Sequence, residues 1–281
     1  MTGSGMTLSI CVPAYNAART LETTVRSILA QDMDFELMIL DNASTDGTGE
    51  IAASFDDPRV RVARNDRVLP IGANWNRVVE LSTGDLIKIV CADDILLPGA
   101  LVQQLRVMAD SRIAISATKF QVIDERDEIE ESGLGLPGLV GQWPADVLLR
   151  TIVRRGPADF GPTAAAMFRR SDFDRVGGFR GDLVFPMDVD LFARVCVPGG
   201  YFFGIPEDLA AWRNSSFNLC SSTSTVSKLT EMARFHHRMG REYPELVGRA
   251  DVLRGDARLA GQAAERVRVR ATALVGGRTD L

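Results

Sequence analysis

The sequence of 281 residues has little cysteine and no long apolar segment. Its four cysteines are far apart and have no CxxC spacing, so we expect reduced thiols and a cytoplasmic protein; they are Cys11, Cys91, Cys196 and Cys220. Charged residues interrupt the longest apolar run, Leu86–Leu97, well short of the roughly 18 residues of a membrane-spanning helix. Residues 1–5 lack the basic and apolar regions of a signal peptide. These absences predict a soluble or at most peripheral protein.

An excess of basic residues is also missing. There are 32 Lys and Arg against 37 Asp and Glu, a net charge of −5, which argues against a nucleic-acid partner bound through a global basic field. The GxGxxG fingerprint does not follow the first predicted strand, and GxxxxGK[ST] occurs nowhere. Their absence argues against NAD-dependent dehydrogenases and P-loop NTPases.

Short apolar segments alternate with segments of helical periodicity in the first 120 residues. Strands are predicted at Leu8–Val12, Phe35–Leu40 and Leu86–Val90, with helices at Thr20–Gln31 and Asn74–Ser82 among those between them. Mostly apolar strands in such an alternation are typical of a parallel sheet covered by helices on both faces. The sequence therefore predicts an α/β protein with a mostly parallel sheet.

The regular alternation fades after about residue 120, although Tyr201–Ile205 still has the pattern of a strand. We divide the chain into a unit at 1–220, with halves of about 7–120 and 121–220, and a C-terminal helical segment at 221–281. Two helices are predicted in that segment, and the second is rich in arginine. Packing on the main unit or on a second copy of the chain is favoured over weak contact with an anionic membrane.

Polar side chains follow the first, second and fourth predicted strands. Tyr15 follows the first strand, Asp41 closes the second, and Asp93 and Asp94 come after the fourth. Ligands of an open parallel sheet bind at the carboxyl ends of its strands, so these side chains are expected to converge. Adjacent carboxylates can accept a diphosphate when a divalent cation bridges them. A tyrosine beside an aspartate suits a nucleobase, through stacking and a hydrogen bond.

Several motifs, in order and at matching spacing over about residues 7–215, resemble the family-2 nucleotide-sugar glycosyltransferases of the GT-A fold. They are Ser9–Asn16, Asp41–Thr48, Gly84–Ile87 leading to Asp93-Asp94, Gly177–Phe179, Met187–Leu191, Ile205–Leu209 and Trp212-Arg213. The resemblance implies a GT-A-type sheet and an inverting, metal-dependent hexosyltransferase of polysaccharide or glycoconjugate biosynthesis.

The resemblance also implies roles for single residues. Asp188 would be the general base that deprotonates the acceptor hydroxyl. Asp93 and Asp94 would hold Mn²⁺ or Mg²⁺ on the diphosphate. Asp93 would also contact the ribose of the nucleotide. The other residues expected to contact the nucleotide sugar are Pro13, Ala14, Tyr15, Asn16, Asp41, Asn76, Arg77 and Arg213. A UDP-sugar is favoured over a GDP- or dTDP-sugar, and the acceptor is a sugar, a lipid-linked or a small molecule.

The sequence departs from the family pattern in two places. Cys91 stands where the family often has the first aspartate of Asp-x-Asp-Asp, which leaves open whether Asp93 or Asp94 is the main metal ligand. Asn214-Ser215-Ser216 stands where a histidine often follows the arginine. Because of these departures, the alternative to an active glycosyltransferase is a non-catalytic or regulatory protein that binds a nucleotide sugar. A nucleotidyltransferase is disfavoured because Ala14–Ala17 is not a basic glycine-rich loop.

Simpler structural roles compete with some of these assignments. Asp41 could form an Asx turn, Asp188 could cap a helix, and Tyr15 could be an ordinary loop aromatic. Asp190 is expected to be structural. The adjacent His236 and His237 are expected to be a surface or core pair and not metal ligands.

Overall fold

The computed structural model describes residues 6–156, 160–216, 218 and 223–276, with the backbone alone for residues 265–276. The first elements are β1 (Leu8–Ala14), α1 (Leu21–Leu29), β2 (Glu36–Asp41), α2 (Thr48–Ala53), β3 (Val60–Arg64), α3 (Ile71–Glu80), β4 (Leu86–Ile89), β5 (Ile95–Leu96) and α4 (Ala100–Met108). They are followed by β6 (Ile113–Ile123), β7 (Ile129–Leu134), β8 (Gly141–Pro144), α5 (Ala145–Arg155), β9 (Ala166–Arg169), α6 (Arg170–Val176), α7 (Met187–Val195), β10 (Tyr201–Arg213), α8 (Thr225–Glu242) and α9 (Arg249–Gly276).

One sheet of ten strands runs through the molecule in the order β3-β2-β1-β4-β9-β6-β10-β5, and β7 and β8 pair with β6 and β10. Strands β3, β2, β1 and β4 are parallel. The antiparallel strand β9 lies between β4 and β6, and β10 is again parallel to β6. The predicted α/β fold with a mostly parallel sheet flanked by helices is confirmed, and each antiparallel pair includes at least one strand of the second half.

Successive residues of β1 point to opposite faces of the sheet, and both faces are buried. Ile10 and Val12 pack in the cluster that contains Val25 of α1. Cys11 packs in the other cluster, with Val78 of α3. Since helices cover both faces, every position of the strand is buried, and the sequence lacks the alternation of a half-exposed strand.

Several elements extend beyond their predicted bounds, and others, α5 among them, were not predicted. Helix α3 begins at Ile71, one turn before Asn74. Strand β10 continues past Pro206 to Arg213, and its pairing with β6 shifts register between Ile205 and Asp208. Proline has no N–H for the ladder, so an irregularity there is expected. Helix α5 buries Leu148, Leu149, Ile152 and Val153 along one face.

The two C-terminal helices are present, and the described part of them packs on α5. Arg154 of α5 donates to the Asp251 carboxylate at 2.6 Å. Gly255 lets α9 approach closely, since a Cβ there would stand 2.3 Å from the Val153 carbonyl oxygen. These contacts agree with the expectation of packing on the main unit, and the division at residue 220 stays a prediction. Cys220, residues 221–222 and the side chains of the arginine-rich stretch from 265 onwards lie outside the described residues.

Among the described helices, none has the length and apolar character needed to cross a membrane. Cys11, Cys91 and Cys196 are free thiols, as expected. His236 and His237 both contact Asp256, with nitrogen–oxygen distances of 3.0 and 2.9 Å. This places the histidine pair in the packing of α8 against α9, in agreement with its predicted structural role.

Candidate active site

The loop Cys91–Asp94, called the acidic loop below, joins β4 to β5 at the carboxyl end of β4. The Thr20 hydroxyl donates to the Ala92 carbonyl oxygen at 2.8 Å and ties the loop to the start of α1. Within the loop, the Asp94 N–H donates to the Cys91 carbonyl oxygen at 3.0 Å. These bonds fix the backbone that carries the two aspartates.

The acidic loop concentrates negative charge where water is largely excluded. One ligand atom each from Cys91, Asp93 and Asp94 lies within 4.8 Å of the others. Burial, together with the charge of Asp93, raises the pKa of the Asp94 carboxyl well above its usual value, and burial raises that of Asp93. In the described part of the chain, neither carboxylate forms an ion pair with lysine or arginine. The charge of Arg213 offsets these effects only in part, and two adjacent carboxylates of this kind fit a hard divalent cation.

Arg213 braces the acidic loop from β10. Its side chain is 2% exposed, and it donates to the Asp93 carbonyl oxygen at 3.0 Å and to the Asp124 carbonyl oxygen at 2.9 Å. It also pairs with the Asp127 carboxylate, while its backbone N–H donates to Asp94 Oδ1 at 3.3 Å. The guanidinium thus has protein partners on all sides, and the phosphate contact of Arg213 stays a prediction.

A cavity of about 730 Å³ opens beside the acidic loop and is called the donor cavity below. Of the residues predicted to contact the nucleotide, Pro13, Tyr15, Asn16 and Asp93 line it. Tyr15 is 52% exposed and free to accept a stacked ring. Ala14 is buried within β1 and contributes its backbone, whose carbonyl oxygen accepts from the Asn42 N–H at 2.8 Å.

Asp41 is buried at the end of β2 and shapes the loop that follows it. Its Oδ1 accepts from the Ser44 N–H at 2.9 Å, and its other oxygen pairs with Arg64. Arg64 also donates to the Ser44 carbonyl oxygen at 2.8 Å. Asp41 is not among the residues that line the donor cavity. The Asx-type turn is therefore present, and the hydrogen bond from Asp41 to a base stays a prediction.

Three asparagines, one after β2, one after β3 and one in α3, connect the walls of the donor cavity. The Asn65 side-chain amide donates to Asn42 Oδ1 at 2.8 Å and to Asn74 Oδ1 at 2.9 Å. Asn42 and Asn74 line the cavity, as does Trp75. Asn65, Asn74 and Trp75 were not predicted as site residues. The sequence signal for Asn74 and Trp75 was the cluster Asn74-Trp75-Asn76 in α3, of which only Asn76 was predicted.

Asn76 and Arg77 do not line the donor cavity. Asn76 Nδ2 donates to the Phe179 carbonyl oxygen at 3.0 Å, and its Oδ1 accepts from the Phe179 N–H at 2.8 Å. The Phe179 ring packs edge-on against Trp75, with 5.2 Å between centroids. Arg77 is exposed and pairs with Glu80 at 3.2 Å. Asn76 therefore supports a cavity wall through Phe179 and Trp75, and Arg77 points away.

We expect Asn76→Ala to lower the free energy of unfolding by about 1–3 kcal/mol, because it leaves the N–H and carbonyl of Phe179 without partners. Loss of this support for Trp75 should also weaken nucleotide binding. The matched control is Arg77→Ala, which removes only an exposed ion pair and should change stability by less than about 0.5 kcal/mol. Thermal melts and nucleotide titrations of both variants check this. Weaker nucleotide binding by Arg77→Ala alone would contradict the assignment.

Asp188 lies in the first turn of α7, at the junction of two further cavities. A cavity of about 190 Å³ is shared with Asp93 and Asp94, and one of about 390 Å³, called the acceptor cavity below, extends from Asp188 to Lys228. The Val189 N–H donates to Asp188 Oδ1 at 2.8 Å. Burial nevertheless raises the pKa of Asp188 to about 6. A carboxylate with this pKa is suited to accept a proton near neutral pH.

Asp190, two residues further along α7, has a structural environment. Its Oδ2 accepts from Arg194 Nε at 2.8 Å, and both side chains are 1% exposed. Arg194 also donates to the carbonyl oxygens of Val176 and Gly178, at 3.0 and 2.8 Å. Gly178 has φ +70°, and a Cβ there would stand 2.6 Å from Asn76 Oδ1. The pair thus fixes the turn that carries Phe179, as its predicted structural role requires.

The sequence was compared with known protein families and proteins. The model of Glycosyl transferase family 2 matches residues 9–177. An uncharacterized protein of Mycobacterium tuberculosis is 32% identical over 218 residues, which are 74% of this chain and 67% of that protein. The succinoglycan biosynthesis protein ExoU of Rhizobium meliloti is 30% identical over 211 residues, 72% of this chain and 60% of ExoU. The chain thus matches about two thirds or less of the length of these relatives.

Two solved structures share the fold at 16% sequence identity. S. aureus TarS 1–349 in complex with UDP-GlcNAc superposes with a TM-score of 0.66, covering 84% of this chain and 67% of TarS 1–349. The mannosyltransferase PcManGT of Pyrobaculum calidifontis, in complex with GDP-Man and Mn²⁺, superposes with a TM-score of 0.64. The match covers 99% of this chain and 82% of the PcManGT chain. The fold and the family match agree with the resemblance in the motifs. The chain belongs to glycosyl transferase family 2, the nucleotide-sugar-dependent glycosyltransferases of the GT-A fold.

Proposed function

We propose that this chain transfers a sugar, with inversion, from a nucleoside-diphosphate sugar to an acceptor hydroxyl that Asp188 deprotonates. The observation that carries the proposal is the position of Asp188, which lines one cavity with the acidic loop and another that leads away from it. A base at this junction can reach a hydroxyl on the acceptor side while the donor diphosphate lies at the acidic loop. Succinoglycan biosynthesis by ExoU is consistent with an acceptor in polysaccharide assembly.

Asp93 and Asp94 would hold Mn²⁺ or Mg²⁺, and such an ion neutralises negative charge on the diphosphate leaving group. Asp93 lines both the donor cavity and the smaller cavity, whereas Asp94 lines only the smaller one. Cys91 is a poor ligand for these ions, because burial and the neighbouring carboxylates raise the pKa of its thiol well above the usual value. PcManGT was solved with Mn²⁺, which supports a metal here.

Tyr15 would stack on the base of the nucleotide, and Pro13, Ala14 and Asn16 would form the adjoining edge of the donor cavity. A UDP-sugar is our preferred donor, and the UDP-GlcNAc bound to TarS supports it. The GDP-Man bound to PcManGT shows that a neighbour with the same fold uses another base.

Among the described residues, Asp188 is the only carboxylate that lines the acceptor cavity. A two-step route with a covalent glycosyl-enzyme would need a second carboxylate as nucleophile, as it does in retaining glycosidases. Direct displacement by the acceptor oxygen, with its proton passing to Asp188, requires only the one carboxylate found there. Such a direct displacement inverts the configuration at the anomeric carbon.

A panel of nucleotide sugars tests the proposal. The full chain is incubated with UDP-, GDP- and dTDP-sugars and Mn²⁺ or Mg²⁺, and release of the nucleoside diphosphate is measured with and without EDTA. We expect release from one class of donor and its loss in EDTA. Tight nucleotide-sugar binding without release, over a broad acceptor panel, would instead favour the non-catalytic or regulatory alternative.

The rate should depend on pH through Asp188. Only the ionised carboxylate can accept a proton, and burial raises its pKa to about 6. The base form is therefore present above pH 6 and is lost as the pH falls, so kcat should decrease about tenfold between pH 7 and pH 5. The measurement uses saturating donor and metal, because Asp93 and Asp94 also titrate. A kcat that is constant over this range would contradict the role of Asp188.

A further inference from the structure

The acceptor cavity has a composition that suits a specific kind of ligand. Its walls are mostly apolar and aromatic, with Phe120 and Val122 from β6, Leu134 from β7, Trp212 from β10, and Phe185. Asp188 lies at one side and Lys228 of α8 at another. The cavity has room for a sugar-sized group, since it encloses about 390 Å³. Aromatic walls of this kind bind the apolar faces of such groups.

Lys228 is the only lysine or arginine that lines this cavity in the described part of the chain. Its side chain is half-buried, and Nζ lies 5.5 Å from the centroid of the Phe185 ring. Neither a hydrogen bond nor an ion pair joins Nζ to any described residue. Two carboxylates are in the neighbourhood: Asp188 lines the same cavity, and Glu231, one turn along α8, accepts from the Phe185 N–H at 2.7 Å. Neither forms an ion pair with Lys228, so the ammonium group at this largely apolar cavity would bind an anion favourably.

The stability of α8 does not explain this position. Lys228 lies in the first turn of α8, and this turn contains no acidic residue with which it could pair. Ser224 already caps the amino end of the helix, because its side chain accepts from the Ser227 N–H at 3.1 Å. A cation is unfavourable at the amino end of a helix, where the backbone dipoles give a positive potential. The placement of Lys228 therefore points to a ligand.

We propose that Lys228 binds a phosphate group of the acceptor and so orients the acceptor hydroxyl toward Asp188, an inference that rests on the proposed function. An ammonium group is a compact charge with three donors, which suits a phosphate oxygen, whereas a carboxylate is matched better by the planar guanidinium of arginine. Lys228 lines neither the donor cavity nor the smaller cavity at the acidic loop. Its role is therefore in acceptor recognition, and the phosphate belongs either to a soluble sugar phosphate or to a lipid-linked sugar.

Phenyl phosphate is a suitable probe, because it combines a phosphate with a ring that fits the aromatic walls. Binding is measured by ligand-observed NMR in EDTA, so that no divalent ion can hold the phosphate at the acidic loop. Wild type should prefer phenyl phosphate to benzyl alcohol and to benzoate. Lys228→Met, which keeps the length of the side chain, should weaken phenyl phosphate about 10- to 100-fold and leave benzyl alcohol unchanged, while Lys228→Arg should retain most of the affinity.

Equal affinity of wild type and Lys228→Met for phenyl phosphate would overturn the inference, and so would a preference for benzoate. Nucleotide affinity with Mn²⁺ and the thermal melt show whether each variant is folded. Competition by glucose 1-phosphate indicates a soluble acceptor, and competition by vesicles that contain a polyprenyl phosphate indicates a lipid-linked one; competition by neither would contradict the proposal. If wild type releases nucleoside diphosphate but shows no phosphate preference, this inference fails and the proposed function stands.

Discussion

Replacing Asp188 by asparagine is expected to lower turnover by about 100-fold or more while nucleotide affinity is retained. The amide keeps the shape of the side chain and cannot accept the proton of the acceptor hydroxyl. Because Asp188 lines the cavities beyond the donor cavity and not the donor cavity itself, the proposed nucleotide site should be left intact. Steady-state kinetics at saturating donor and a nucleotide titration measure the two quantities separately.

The stability of the same variant gives a second readout. Burial raises the pKa of Asp188 to about 6, so above that pH the ionised carboxylate disfavours the folded state relative to an ordinary aspartate. Asparagine does not ionise, and Asp188→Asn should therefore melt at the same temperature as wild type or at a higher one at pH 7. A lower melting temperature together with lost nucleotide binding would show that Asp188 is structural.

Asp190→Asn is the matched control on the same helix. It removes the charge that pairs with the buried Arg194 at 2.8 Å, and a buried pair that loses one partner typically costs about 3–5 kcal/mol. We expect a clear drop in melting temperature, with kcat retained in the protein that stays folded. If Asp190→Asn lost turnover without losing stability, the roles of the two aspartates would have to be exchanged.

Replacing Asp93 and Asp94 together by asparagine is expected to abolish turnover and the divalent-dependent part of nucleotide binding. In wild type, burial and the charge of Asp93 raise the pKa of Asp94, and a bound cation removes this unfavourable interaction. Mn²⁺ should therefore raise the melting temperature of wild type, and it should have no such effect on the double variant. Undiminished activity of wild type in EDTA would refute the metal site.

Single variants separate the contributions within the acidic loop. Asp93→Asn and Asp94→Asn, compared by Mn²⁺ titration, rank the two carboxylates as ligands. Cys91→Ser is the matched control, because the thiol is held protonated by burial and its contact with Thr163 Oγ1 at 3.4 Å can be made by a hydroxyl. We expect Cys91→Ser to keep its affinity for Mn²⁺. A large loss of Mn²⁺ affinity in Cys91→Ser would show that the sulfur is a metal ligand.

Much of the fold could be predicted from the sequence, because it depends on patterns that are local in the chain. The apolar segments at Leu8–Ala14 and Leu86–Ile89 are buried on both faces, and this composition by itself indicates a covered parallel sheet. The order of the motifs then placed Tyr15 and the acidic loop at the carboxyl ends of their strands, which is where the structure has them.

The roles of individual side chains around the site depended on the tertiary structure. Asn76 and Arg77 are adjacent in sequence, yet one supports Phe179 and the other faces solvent. Successive residues of a helix point about 100° apart, so only the packing of α3 against the turn at Phe179 could distinguish them. The same holds for Lys228, which lies 40 residues beyond Asp188 and lines the same cavity because α8 packs back on the main unit, where Glu231 accepts from the Phe185 N–H. Local patterns determine which elements form, whereas the direction of a side chain and its distant partners are decided when those elements pack.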